Sequence, residues 1–143
     1  MRVHYPAIVV SAIVFWLFGW VWYDLLFKSA WLAAAGISPQ QMAAGSSGGL
    51  YAMIVSLVMA YFLAYGLARI LAWRGEATPG RGAFIGLSMG LLIFGSMTWM
   101  DYAFEMRGAT LGWINVGYVA LGMAIVGAIL DGWRAASPAG RPE

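Results

Sequence analysis

Four stretches of the chain are apolar and contain no Asp, Glu, Lys or Arg: Tyr5–Tyr23, Leu50–Ala68, Gly82–Met100 and Gly108–Leu130. Three are 19 residues long and the fourth is 23. A helix rises about 1.5 Å per residue, so roughly 20 residues cross the hydrocarbon core of a bilayer. None of the runs alternates apolar with polar residues, which argues against the strands of a membrane barrel. The pattern predicts an all-α integral membrane protein, a four-transmembrane-helix up-down bundle. A single membrane domain is expected over 1–143, with helices at about 5–27, 50–73, 82–104 and 110–133. A cleaved signal peptide over residues 1–36 fits less well. The run is too long and aromatic, and Ala33–Gly36 lies far beyond it.

The connections are short. The first, Ser29 to Gly49, is the only sizeable one. Within it Ser38-Pro39-Gln40-Gln41 reads as a helix start, with Ser as the cap, Pro at the first helical position and Gln three residues on. A short amphipathic outer segment, about 39–44, is expected to end at Gly45-Ser46-Ser47-Gly48-Gly49. Arg74 to Arg81 is a Pro/Gly turn, and Glu105 to Thr110 is tighter still. Loops this short make consecutive spans antiparallel neighbours.

Composition sharpens the class. Hydrophobic residues make up 62% and charged residues 10%, against roughly 45–50% and 25% in soluble domains. The pI near 9.2 rests on a net charge of only +2 with no basic cluster, so no nucleic-acid partner is expected. The excess instead sets orientation. Arg2, Arg69, Arg74, Arg81, Arg134 and Arg141 fall at the N-terminus, the second loop and the C-terminus, and only Lys28 and Arg107 flank the other two loops. Lys and Arg are retained in the cytoplasm, so both termini are expected inside a bacterial inner membrane. The opposite side carries Asp24, Asp101, Glu105 and five of the eight tryptophans: Trp20, Trp22, Trp31, Trp99 and Trp113.

Small residues recur at the spacing that lets helices approach in lipid, where no hydrophobic force drives them together. Ala52, Ser56, Ala60, Ala64 and Ala68 form one stripe, and Gly82, Gly86 and Gly90 form two overlapping GxxxG motifs. Ala120, Ala124 and Ala128 lie on the last helix, near Gly117, Gly122 and Gly127. These faces serve either packing within one bundle or contact with a partner, a homo-oligomer or another membrane protein beside the lipid bilayer itself.

The ends of the first and third helices repeat each other. Trp22-Tyr23-Asp24-Leu25-Leu26-Phe27 and Trp99-Met100-Asp101-Tyr102-Ala103-Phe104 both spell W-x-D-x-x-F, each after a Phe-Gly pair. Two parallel hairpin repeats are therefore an expectation. The repeat sets two carboxylates at matching depth. Asp24 and Lys28 are spaced i, i+4 as a favourable pair, whereas Asp101 and Glu105 at the same spacing repel. Asp24, Asp101, Glu105, Asn115 and Tyr118, ringed by Trp22 and Trp99, form a candidate outward-facing site for a proton, a cation or the polar head of a lipophile. The alternative is an interfacial belt whose ion pairs fix helix ends.

Catalytic chemistry is not visible. There is no cysteine, and the single histidine, His4, lies at an interface, so metal ligation and cofactors are not expected. Ser11, Ser56, Ser88 and Ser96 lack a base partner. The glycines sit inside spans rather than in phosphate-binding turns.

Gly19-Trp20-x-Trp22-Tyr23-x-x-Leu26-Phe27-x-x-x-Trp31, then Gly36-Ile37-Ser38 and Tyr102-x-Phe104-Glu105-x-Arg107, resemble an uncharacterised bacterial membrane family, domain of unknown function 1761. The resemblance spans about residues 5 to 134 and implies four helices in an inner membrane, with no activity attached. The family pattern has Ser-Pro after the Trp-Tyr pair, where this chain has Asp24-Leu25. The resemblance therefore implies no role for Asp24. The function expected is that of a non-enzymatic structural or accessory subunit packing through Gly/Ala faces. The alternative is a small transporter or binder of a cation, a proton or a lipophilic molecule at the acidic-aromatic cluster.

Overall fold

The computed structural model describes residues 4–44 and 46–137. Helices account for nearly all of them, with no strand among the described residues. We number the helices α1 (Tyr5–Leu26), α2 (Lys28–Ala35), α3 (Pro39–Ala44), α4 (Ser46–Ala72), α5 (Pro79–Phe104) and α6 (Ala109–Ala136). Four are long and apolar enough to cross a membrane: α1, α5, α6 and the Gly49–Ala72 part of α4. Two of these spans widen into a π-type turn, at Val21–Leu26 in α1 and at Gly90–Gly95 in α5.

The first connection departs from the loop expected of it. Lys28–Ala35 is helical, because Lys-Ser-Ala-Trp-Leu-Ala-Ala-Ala is rich in strong helix formers. It stops at Gly36, whose φ of 69° only glycine adopts cheaply. Ile37 N–H then reaches back to the Leu32 carbonyl at 3.0 Å, the closing bond of a Schellman motif. α3 opens with a reciprocal cap. The Gln41 amide N–H donates to Ser38 Oγ at 3.2 Å and the Ser38 N–H to Gln41 Oε1 at 2.8 Å. The break expected over Gly45–Gly49 is absent from Ser46 onward, where α4 is already helical; Gly45 lies outside the described residues. Glycines in a first turn cost helix propensity, but the 19-residue apolar run that follows carries the helix through them.

Contacts fix the topology. Trp22 of α1 meets Ile114 of α6, and Phe15 meets Tyr118, so α1 and α6 are antiparallel. Gly82 lies against Gly127 and Gly90 against Ala120, so α5 and α6 are antiparallel too. Arg134 of α6 reaches the Leu71 carbonyl at the end of α4, so those two are parallel. The order is up, down, up, down. α6 is the hub: it packs on α1, α4 and α5, and α5 rests almost wholly on α6.

The packing changes along the bundle. At the end where α4 and α6 finish, the core is aliphatic and small: Ala7, Ile8 and Ala12 of α1, Ala64, Leu67, Ala68 and Leu71 of α4, and Val126 and Leu130 of α6. A methyl group on Gly86 would overlap the Met123 carbonyl, and Gly82 and Gly127 meet backbone to backbone. Lipid offers apolar surface as readily as a neighbouring helix does, so this close approach is what holds α5 to α6. The π-type turn extends the stripe. At 3.6 residues per turn the five-residue step from Gly90 to Gly95 would swing Gly95 about 140° off the face. The widened turn absorbs the extra residue, and both glycines remain buried.

Candidate functional site

The other end of the bundle is aromatic and polar. Asn115 lies in α6 and is partly buried among tyrosines from two other helices. The Tyr23 hydroxyl of α1 donates to Asn115 Oδ1 at 2.8 Å. Asn115 Nδ2 donates to the Tyr102 hydroxyl of α5 at 2.6 Å. One amide thus links α1, α5 and α6. Tyr102 accepts from Asn115 and keeps its own proton to give, while Tyr23 keeps a lone pair to receive one.

Aromatic rings cover this network. Trp22 donates from Nε1 to the Ile114 carbonyl at 3.0 Å, and its ring lies over Gly117. Tyr118 packs 4.9 Å from Phe15, 5.0 Å from Tyr23 and, stacked, 5.8 Å from Phe18. Its hydroxyl donates to the Phe15 carbonyl at 3.3 Å. Trp31 of α2 meets Tyr23 edge-on at 5.3 Å, which places α2 across the end of the cluster. The π-type turn at Val21–Leu26 carries Trp22, Tyr23 and Asp24. Such turns occur often at functional sites.

The candidate residues separate into two groups. Trp22, Asn115 and Tyr118 come together. Asp24 instead pairs with Lys28 at 2.6 Å, both side chains close to half exposed. Glu105 pairs with Arg107 at 2.6 Å, also half exposed. Asp101 is exposed and makes no ion pair among the described residues. Trp99 lies apart, edge-on to Trp113 at 5.2 Å and over Gly112. Among the described residues no acid hydrogen-bonds to Asn115 or Tyr118. No group of three or more His, Asp or Glu residues among them could hold a metal.

The packing faces also divide. Gly82, Gly86 and Gly90 press on α6. Ala60 and Ala64 are buried, whereas Ala52 and Ser56 are exposed. Ser56, Ser88 and Ser96 donate to carbonyls of their own helices, the usual habit of serine inside apolar helices. Ser11 is fully buried and its hydroxyl has no partner among the described residues.

Four contributors escape a sequence reading: Tyr23, Tyr102, and the pair Asp131 and Arg134. Asp131 is 2% exposed and pairs with Arg134 at 2.6 Å. The same guanidinium donates to the carbonyls of Leu71 at 2.8 Å and Arg74 at 3.0 Å. It thereby caps the open C-terminal carbonyls of α4. The signal available was the i, i+3 spacing of opposite charges just past the last uncharged run.

Comparison of the chain with curated proteins and with solved structures gave no match. Family models do respond. Residues 6–131, which include all four spans and the Asn115 network, match the model described as Protein of unknown function (DUF1761), and the chain is a member of that family.

Proposed function

We propose that the protein is a non-catalytic structural or accessory subunit of an inner membrane, with both termini in the cytoplasm. It acts by packing the outer half of α4 against the helices of a partner membrane protein. One observation carries this reading. From Gly49 to Met59 every residue of α4 is exposed, around about three full turns. α4 is buried only from Ala60 onward, and across this outer segment Trp16 of α1 reaches it through one hydrogen bond, from Nε1 to Ser56 Oγ at 2.9 Å. The segment contains no charge and includes the small residues Ala52 and Ser56, which suits an apolar helix as partner.

The orientation rests on charge. Arg69, Arg74, Arg81 and Arg134 gather at one end and Lys28 and Arg107 at the other, with Arg2 and Arg141 outside the described residues. The richer end belongs in the cytoplasm.

A second reading, a binder or transporter of a cation, a proton or a lipophile, is favoured by Asp101, exposed beside the aromatic end with no ion pair among the described residues. Native mass spectrometry from the source membrane, at natural abundance in mild detergent, separates the two. A stoichiometric foreign protein, lost in the Ala52→Trp, Ser56→Trp double variant, supports the accessory role. A lone chain or a homo-oligomer sinks it. A retained small mass that disappears in Asn115→Ala or Asp101→Asn supports the binder.

A further inference from the structure

Ion pairing leaves a specific charge unspent. Of the described basic residues, Lys28 pairs with Asp24, Arg81 with Glu76, Arg107 with Glu105 and Arg134 with Asp131. Only Arg69 and Arg74 have no carboxylate among the described residues. Both belong to the end of α4, one in its last turn and the other just beyond it.

Arg69 is held in a ladder. Its Nη1 donates to the Tyr65 hydroxyl at 3.1 Å, and its guanidinium carbon lies 5.9 Å from the Tyr65 ring centroid. Trp73 follows at the same four-residue spacing and is 69% exposed. Tyr65, Arg69 and Trp73 therefore line one side of the helix end, with most of the Arg69 donors uncommitted. The two nearest acids on neighbouring elements are already engaged, Glu76 by Arg81 and Asp131 by Arg134. Arg134 also donates to the Leu71 and Arg74 carbonyls, and its charge offsets part of the negative helix end that would otherwise repel an anion.

We infer that Arg69, flanked by Tyr65 and Trp73, binds the phosphate of one anionic phospholipid, with Arg74 just beyond the helix adding to the local positive charge. A planar guanidinium matches a phosphate through paired N–H donors. The exposed indole is suited to the headgroup layer. The site is separate from the Asn115 network and does not depend on the accessory role.

The test is native mass spectrometry of the intact protein released from phosphatidylcholine nanodiscs containing phosphatidylglycerol. The expected result is one preferentially retained phosphatidylglycerol. Arg69→Gln and Arg74→Gln should each weaken it about fivefold, and Arg69→Lys should retain most of the affinity. Arg81→Gln removes the same charge at the same end from an ion-paired residue. An equal loss there would show diffuse attraction and overturn the site. Competition by millimolar inorganic phosphate would assign the groups to a free anion and overturn the lipid reading. Absence of a retained lipid in the folded wild type would do so as well.

Discussion

Three residues carry more than their size suggests. Met106 has a φ of 54° and sits where a glycine normally closes a helix. Arg107 N–H bonds to the Tyr102 carbonyl and Met106 N–H to the Ala103 carbonyl, the Schellman pair. A left-handed conformation costs an L-residue about 1–2 kcal/mol, and the side chain is almost fully exposed. Met106→Gly should therefore stabilise the protein by about 0.5–1 kcal/mol once the entropy of glycine is counted, as read by steric-trap unfolding. Asn115→Ala leaves two tyrosine hydroxyls without their partner and should cost about 1–2 kcal/mol in the same assay. Arg134→Ala strands the buried Asp131 carboxylate and should cost about 3–5 kcal/mol. The Asp131→Asn, Arg134→Gln double variant should recover much of that loss. A double variant as unstable as Arg134→Ala alone would mean that the α4 carbonyl caps, not the charge, dominate.

Among elements, α5 depends most on close approach. Gly86→Leu should detach it from α6, whereas Gly66→Ala, with open space around its α-carbon, should be neutral or slightly stabilising; crosslinking between engineered cysteines on α5 and α6 would report the difference. The four spans were legible in the sequence because span length is one-dimensional: about 20 uncharged residues need no partner to be recognised. α2 was not, since eight residues of good helix former leave no comparable run. The start of α4 was misjudged because local glycine cost was weighed without the apolar helix downstream. Asn115 stood out as a polar residue within an apolar run, but Tyr23 and Tyr102 did not, tyrosine being at home in an interfacial belt. The acids were grouped with Asn115 by depth. Depth follows residue number, but position around the helix axis does not, least of all beyond a π-type turn such as the one that holds Asp24. Deleting one residue within Gly90–Gly95 removes the extra residue that the widened turn absorbs, so it should restore a regular helix and leave Tyr102 facing Asn115. A loss of stability equal to that of Asn115→Ala would mean instead that the turn itself sets this register.

For the whole molecule, orientation is the property most easily measured. The chain has no cysteine, so single cysteines introduced at Glu76, Ser38 and Gly108 report without background. A membrane-impermeant maleimide applied to intact cells should label the Ser38 and Gly108 positions but not Glu76. The reverse pattern would invert the topology and move the Arg69 site to the opposite leaflet.

The central place of α6 has a consequence for biogenesis. α1, α4 and α5 are synthesised before the last helix; α1 and α4 can pack on each other, but α5 enters the bilayer ahead of the helix on which it rests. Until α6 is inserted α5 has no face to dock on, with Gly82, Gly86 and Gly90 open to any other small-residue helix nearby. Completion of the fold is thus deferred to one late insertion event, and until then the glycine face is open to a wrong neighbour.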